Sequence, residues 1–193
     1  GVKIYKIKIN TFFIYMNIGF ALDINLVLPL INTLYSILFN NKNNIIFYLI
    51  VDDDNTKNMI LNNLHLLSNF LNYTTNIKIM KDSDKEFFSK YDRRNSELRK
   101  DIHTIHYCQL LFGEYFNDLH KLLYLEADQI INGNISELYE THNIAEKGIC
   151  AVPELPIPKF ISEYIGKETN FEYFNCGVTL LNLNYWKNND ILN

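Results

Sequence analysis

A chain of 193 residues with 48% hydrophobic and 21% charged side chains has the composition of an ordinary globular domain. That length fits one domain able to bury roughly 70% of its unfolded surface, and 13 Tyr with 13 Phe exclude intrinsic disorder. The net charge of −4 argues against a broad nucleic-acid-binding surface.

In chain order, Lys3, Lys6 and Lys8 precede an apolar stretch from Phe12 to Leu22, the outline of a secretion signal. No small-residue cleavage site follows, Asp23 ends the run at once, and the stretch is too short to span a bilayer. It reads instead as the approach to a first buried strand, Ile18 to Leu22, with residues 1–15 as an N-terminal extension ahead of Met16. Val27, Leu30, Ile31, Leu34 and Leu38 then recur at helical spacing, which directs Asn32, Thr33 and Ser36 away from the core. Asn25 is the expected N-cap, leaving Pro29 in the first turn, where its missing N–H is tolerated. A second apolar strand, Ile45 to Val51, ends in Asp52-Asp53-Asp54. The helix after it carries Ile60, Leu64, Leu67 and Leu71 on one face, and Asn76 to Met80 reads as a third strand. Strand and helix alternate, so the expected fold class is α/β, a mostly parallel Rossmann-like sheet with helices on both faces.

From Lys81 to Asp101 the pattern dissolves into charge around Phe87, Phe88 and Tyr91, predicting a surface loop or short helix. Ile102 to Phe116 reads as helix. Leu122 to Leu125 reads as a fourth strand, interrupted by Glu126-Ala127-Asp128 and resumed at Ile130-Ile131. A turn at Gly133-Asn134, a short helix from Ser136 to Tyr139 and a strand from Ile149 to Val152 follow. Pro153, Pro156 and Pro158 mark a loop, Phe174 to Leu183 a last strand, and Tyr185 to Asn193 a last helix. Cys108, Cys150 and Cys176 are odd in number and far apart, which disfavours a disulfide framework and fits a reducing compartment. Cys176, beside Gly177 in an apolar strand, reads as a core thiol.

Ligands of open α/β sheets bind beyond the carboxyl ends of the strands. Three such ends carry polar groups: Asp23-Ile24-Asn25, Asp52-Asp53-Asp54 and Glu126-Ala127-Asp128. No Gly-rich dinucleotide turn follows the first strand, and no Gly-x-x-x-x-Gly-Lys loop is present. A phosphate ligand therefore needs another counter-charge, and a divalent cation held by carboxylates is the natural substitute. Glu126/Asp128 and Asp52/Asp54 both have the one-residue spacing that turns two carboxylates the same way. Glu126 interrupts an apolar run, so its carboxylate is expected partly inside, where a metal partner offsets the cost of burial. The Asp52 run precedes a helix, where acids suit the N-terminal dipole. His103 and His106, three apart, read as an exposed helix face rather than a zinc site, because no third ligand is in view.

Several ordered runs resemble glycosyltransferase family 8, the retaining nucleotide-sugar transferases that include bacterial lipopolysaccharide galactosyl- and glucosyltransferases. Met16-Asn17-Ile18-Gly19-Phe20-Ala21-Leu22-Asp23-Ile24-Asn25 is similar to the family's first strand and nucleotide-binding turn. Tyr107-Cys108-Gln109-Leu110 follows. Lys121-Leu122-Leu123-Tyr124-Leu125-Glu126-Ala127-Asp128 resembles its Leu-Tyr-Leu-Asp-x-Asp metal motif, with Ile135 to Tyr139 behind it. Phe174-Asn175-Cys176-Gly177-Val178-Thr179-Leu180-Leu181-Asn182-Leu183 resembles the Phe-Asn-Ala-Gly-Val-Leu-Leu-Ile-Asn-Leu signature, with Trp186 after it.

The resemblance implies a GT-A-like nucleotide-diphospho-sugar transferase fold over residues 16–193, truncated at its C-terminus. It implies transfer of a hexose from a UDP-sugar to a glycan or glycolipid with retention of configuration. Ala21, Asp23, Asn25, Gln109, Asn175 and Gly177 become the expected donor-binding residues, and Glu126 and Asp128 the expected ligands of manganese or magnesium. The implied location is cytoplasmic, with peripheral membrane contact through the missing segment. Two residues depart from the family's pattern: Glu126 stands for Asp, and Gln109 for Arg. The chain also ends before the family's Asp-Gln-Asp and His-x-x-Gly-x-x-Lys-Pro-Trp segments. These departures keep open an alternative, a non-catalytic nucleotide-sugar-binding or scaffold domain.

Overall fold

The computed structural model of the chain describes residues 15–90, 104–141, 144–153 and 173–191. Residues 1–14 of the expected extension, Tyr91, His103, Pro156 and Pro158 lie outside the described residues. The elements are β1 (Tyr15–Leu22), α1 (Val27–Asn40), β2 (Asn44–Val51), α2 (Asp54–Asn63), β3 (Tyr73–Ile79) and α3 (Asp82–Ser89). They continue with α4 (Phe112–Tyr115), β4 (Lys121–Leu125), α5 (Ser136–Thr141), β5 (Ile149–Pro153), β6 (Phe174–Asn182) and α6 (Leu183–Asn188). Segments of 3-10 helix occupy Ile24–Leu26, Leu64–Leu67 and Thr104–Leu111.

The strands form one sheet in the order β3-β2-β1-β4-β6-β5. β1 is parallel to β2 and β4, and β2 to β3. β6 is antiparallel to both β4 and β5, so the sheet is mixed, with β6 reversed against the rest. The near-continuous apolar runs of β1, β2 and β4 follow from this position, because central strands covered on both faces need no polar alternation. β3 lies at one edge and alternates between partly buried and exposed residues, with Thr74, Asn76 and Lys78 outward.

One layer packs Phe20, Phe47, Leu30, Leu34, Ile60 and Leu67 beneath α1 and α2. The opposite layer packs Ile50, Cys108, Phe112, Leu122, Leu181 and Leu183. Gly19 faces the second layer, where a β-carbon would lie 2.6 Å from Leu122 Cδ2 and 3.0 Å from the Phe112 ring. Only hydrogen fits there, so the tilt of Phe112 over β1 depends on a glycine. Burial, with Asp84 and Asp52 contributing, pushes the Cys108 thiol up to about 12, which makes it an inert core group.

Several sequence expectations are corrected here. β1 begins at Tyr15, already paired with Asn44, and Met16 is buried within it. Asp23, not Asn25, caps the turn into α1: its carboxylate accepts the Asn25 N–H at 2.9 Å. Leu71 lies beyond the helical residues and is 95% exposed, because the chain turns away after Leu67. Ile130-Ile131 does not resume β4; residues 126–135 run as turn and irregular chain. The last helix spans only Leu183–Asn188, and Asp190, at φ 48°, ends it in a left-handed conformation. Cys176 is an exposed thiol rather than a core one, for a reason found at the site.

Candidate active site

The strand order places a topological switch between β1 and β4. The chain leaves β1 toward β2 on one side, and β4 enters on the other. Beyond the carboxyl ends of these two strands the connections diverge and leave a crevice. A cavity of about 360 Å³ opens there, lined by Ala21, Asp23, Asn25, Leu26, His106, Tyr124, Glu126, Ala127 and Asp128. The Asp52-Asp53-Asp54 run follows β2, one strand away, and none of its residues lines the cavity. Instead Asp53 caps α2, and the Thr56 N–H holds its carboxyl below the usual range, while Asp52 accepts the Thr56 hydroxyl at 2.6 Å.

Five of the expected site residues, Ala21, Asp23, Asn25, Glu126 and Asp128, thus meet at one cavity although they come from distant parts of the chain. Asn175 and Gly177 do not line it but adjoin Glu126. Gln109 is half-buried on the 3-10 segment and is not part of the lining. It lies three residues after His106, which does line the cavity, and residues three apart share a face of a 3-10 helix.

Glu126 and Asp128 are exposed, with buried Ala127 between them. The expectation that the Glu126 carboxylate lies partly inside is therefore corrected: β4 stops at Leu125, and the residues after it form a turn. The Glu126 N–H donates to the Gly177 carbonyl at 3.0 Å, and the Gln129 side chain donates to the same oxygen at 2.9 Å. On β6, Asn175 Oδ1 accepts the Gly177 N–H at 2.7 Å. Gly177 sits at an irregularity where β6 leaves β5: Ala151 pairs with Thr179, but Val152 pairs with Asn175. Such a bulge re-aims the strand, turning the Gly177 carbonyl to the β4 turn and Cys176 to the surface. A β-carbon on Gly177 would lie 2.7 Å from Glu126 Oε2, 2.9 Å from Asn175 Oδ1 and 3.2 Å from Gln129 Nε2. The bare Cα lets three polar side chains converge there, and a β-carbon would displace their ends.

The turn is held from below by α1. Thr33, expected to face away, is fully buried, and its hydroxyl lies 2.7 Å from the Ala127 carbonyl and 2.6 Å from that of Gln129. Ser36 Oγ accepts the Ile131 N–H at 2.9 Å, and Asn40 donates to the Ile131 carbonyl at 2.7 Å. Asn41 Oδ1 accepts the Ile135 N–H at 2.8 Å. One helix edge thus binds the backbone that follows the two carboxylates. Sequence reasoning missed this edge, although Thr33 stands within the stripe Leu30, Leu34, Ile37 and carried a signal of its own. Thr33→Val keeps the shape but strands buried carbonyls, an expected loss of about 1–3 kcal/mol. Thermal melting should show it as a fall of roughly 2–10 °C. An unchanged melting temperature would mean that the carbonyls are satisfied without Thr33.

Among the described residues, three carboxylates, Asp23, Glu126 and Asp128, line the cavity and no Lys or Arg does. An anionic ligand entering it meets repulsion unless a cation comes with it. Among the described residues no group of three or more His, Cys, Asp or Glu is placed to hold a metal by itself. The same residues contain no helix long and apolar enough to cross a membrane.

This mixed sheet with a carboxylate-lined crevice at its switch point is a GT-A-like sugar-transferase fold. Galactosyltransferase LgtC, solved with donor and acceptor sugar analogues, matches it with a TM-score of 0.70 at 22% identity, covering 90% of this chain and 60% of that one. Mouse xyloside xylosyltransferase 1 matches with a TM-score of 0.60 at 15% identity, covering 92% and 69%. The model of Glycosyl transferase family 8 matches residues 17–193, and the chain belongs to that family. It is 30% identical over 174 residues to the lipopolysaccharide 1,2-glucosyltransferase of Escherichia coli, covering 88% of this chain and 48% of that protein. The chain spans about half the length of the curated relatives it matches.

Proposed function

We propose that the protein transfers a hexose from a UDP-sugar to a glycan or glycolipid acceptor, with retention of configuration and with help from a divalent cation. The observation that carries this reading is the meeting of Asp23 and Asn25 with Glu126 and Asp128 around one cavity at the switch point. The two carboxylates Glu126 and Asp128 fit manganese or magnesium bound to a diphosphate, because magnesium-type sites use one or two carboxylates and complete their shell with phosphate oxygens and water. When bound, the cation neutralises charge on the departing nucleoside diphosphate. Asp23, Asn25 and Ala21 shape the nucleotide side of the cavity, Ala21 by presenting a small side chain at the end of β1. Asn175 and Gly177, next to Glu126, suit the transferred sugar. Gln109, in place of the family's Arg, offers a neutral amide near the donor.

Calorimetric titration with UDP is the test: binding is expected with manganese present and lost when the metal is chelated. Equal binding with and without chelator would overturn the metal reading. A second reading, a domain that binds a nucleotide-sugar without transferring it, is favoured by Glu126 and Gln109. Donor turnover separates the two, since a binding domain releases no UDP from a UDP-sugar in the presence of acceptor.

A further inference from the structure

Tyr124 lines the cavity, and no role follows for it from the carboxylate pair. It is 4% exposed, packs edge-on against Phe112 at 6.0 Å, and is paired in the sheet with Gly19 of β1 and Thr179 of β6. It shares its layer of the core with Ala21, and both residues line the cavity beside Asp23, Asn25, Glu126 and Asp128. Its hydroxyl makes no hydrogen bond to another described residue, yet it is not among the side-chain polar atoms buried without a partner, so it opens to the cavity rather than into the core.

The other polar groups of the cavity sharpen the point. Asp23, Glu126 and Asp128 are acceptor-only when ionised, so none of them can donate a proton to a phosphate oxygen. The Asn25 side chain is already turned to Asp23 Oδ2 at 3.4 Å. The Tyr124 phenol is thus a donor in the lining whose proton is not committed to the protein.

We propose that Tyr124 Oη binds the ligand directly, donating its proton to an oxygen of the bound nucleoside diphosphate. This rests on the reading of the cavity as a nucleotide-diphosphate site. It assigns to β4 a binding residue as well as the two carboxylates beyond its end. The hydroxyl makes no bond within the fold and exchanges solvent for the ligand oxygen on binding, so its contribution falls on affinity and not on folding.

Tyr124→Phe removes the hydroxyl and keeps the ring on Phe112. Calorimetry with UDP and manganese should show binding about tenfold weaker than in the unsubstituted protein. The ligand-free variant should melt no lower. Unchanged UDP affinity overturns the proposal and leaves the nucleotide reading standing. A lower melting temperature of the ligand-free variant also overturns it, because the hydroxyl then serves the fold. If the unsubstituted protein itself binds no UDP with manganese present, the nucleotide reading fails, and the assignment of Tyr124 fails with it.

Discussion

Asp128→Ala is expected to abolish the manganese dependence of UDP binding while leaving the fold intact. Asp128 is exposed and has no hydrogen bond among the described residues, so removing it strands no buried partner. Its carboxylate is one of only two that the turn after β4 brings to the cavity beside Asp23. Loss of groups that merely orient metal ligands costs about 10–100-fold in affinity, and loss of a direct ligand should reach the upper end of that range or exceed it. Asp54→Ala is the matched control. Asp54 also follows a strand and is also exposed, but it opens α2 and does not line the cavity. Its loss should cost a few tenths of a kcal/mol of helix-dipole stabilisation and leave UDP binding intact. Isothermal titration with and without chelator reads both variants. Retained metal-dependent binding in Asp128→Ala would falsify the assignment of the carboxylate pair.

Gly177→Ala should separate function from folding in a different way. The added β-carbon meets Glu126 Oε2 at 2.7 Å and Asn175 Oδ1 at 2.9 Å. Both are the ends of side chains that can swing aside, and the Gly177 backbone does not adopt a conformation reserved for glycine. The stability cost is therefore expected to stay near 1 kcal/mol or below, a melting shift of roughly 2–4 °C for a chain of this size. The Glu126 carboxylate, however, must leave its position, and metal-dependent UDP binding should weaken about tenfold or more. A large fall in melting temperature would show instead that Gly177 is a packing glycine of the kind found at Gly19. There the added carbon strikes Leu122 and Phe112 inside the core, where neither can move freely.

The departure at Glu126 acquires a physical meaning from this geometry. A Glu is longer than an Asp by one methylene, and here the extra reach carries the carboxylate over the Cα of Gly177. The Gly177 carbonyl meanwhile accepts from both the Glu126 N–H and Gln129. Backbone and side chain of one residue are thus tied to one glycine on β6, so the bulge in β6 and the turn after β4 position the carboxylate together.

Hydrophobic pattern by itself determined the alternation of strands and helices, the two-sided burial of β1, β2 and β4, and the place of carboxylates just beyond β4. These follow from local periodicity, because continuous apolar runs suit strands covered on both faces and helical stripes suit one-sided burial. The motif order was enough to suggest the family. Which strand ends meet was decided only in three dimensions: the switch between β1 and β4 joins Asp23 and Asn25 to Glu126 and Asp128 and leaves Asp52–Asp54 aside. The burial of Thr33 likewise depended on carbonyls at Ala127 and Gln129, more than ninety residues away. The exposure of Cys176 depended on a bulge between β5 and β6 that an apolar run does not encode. Periodicity records how much of a face is covered. It carries no record of which distant backbone group satisfies a polar side chain, and that pairing holds the candidate site together.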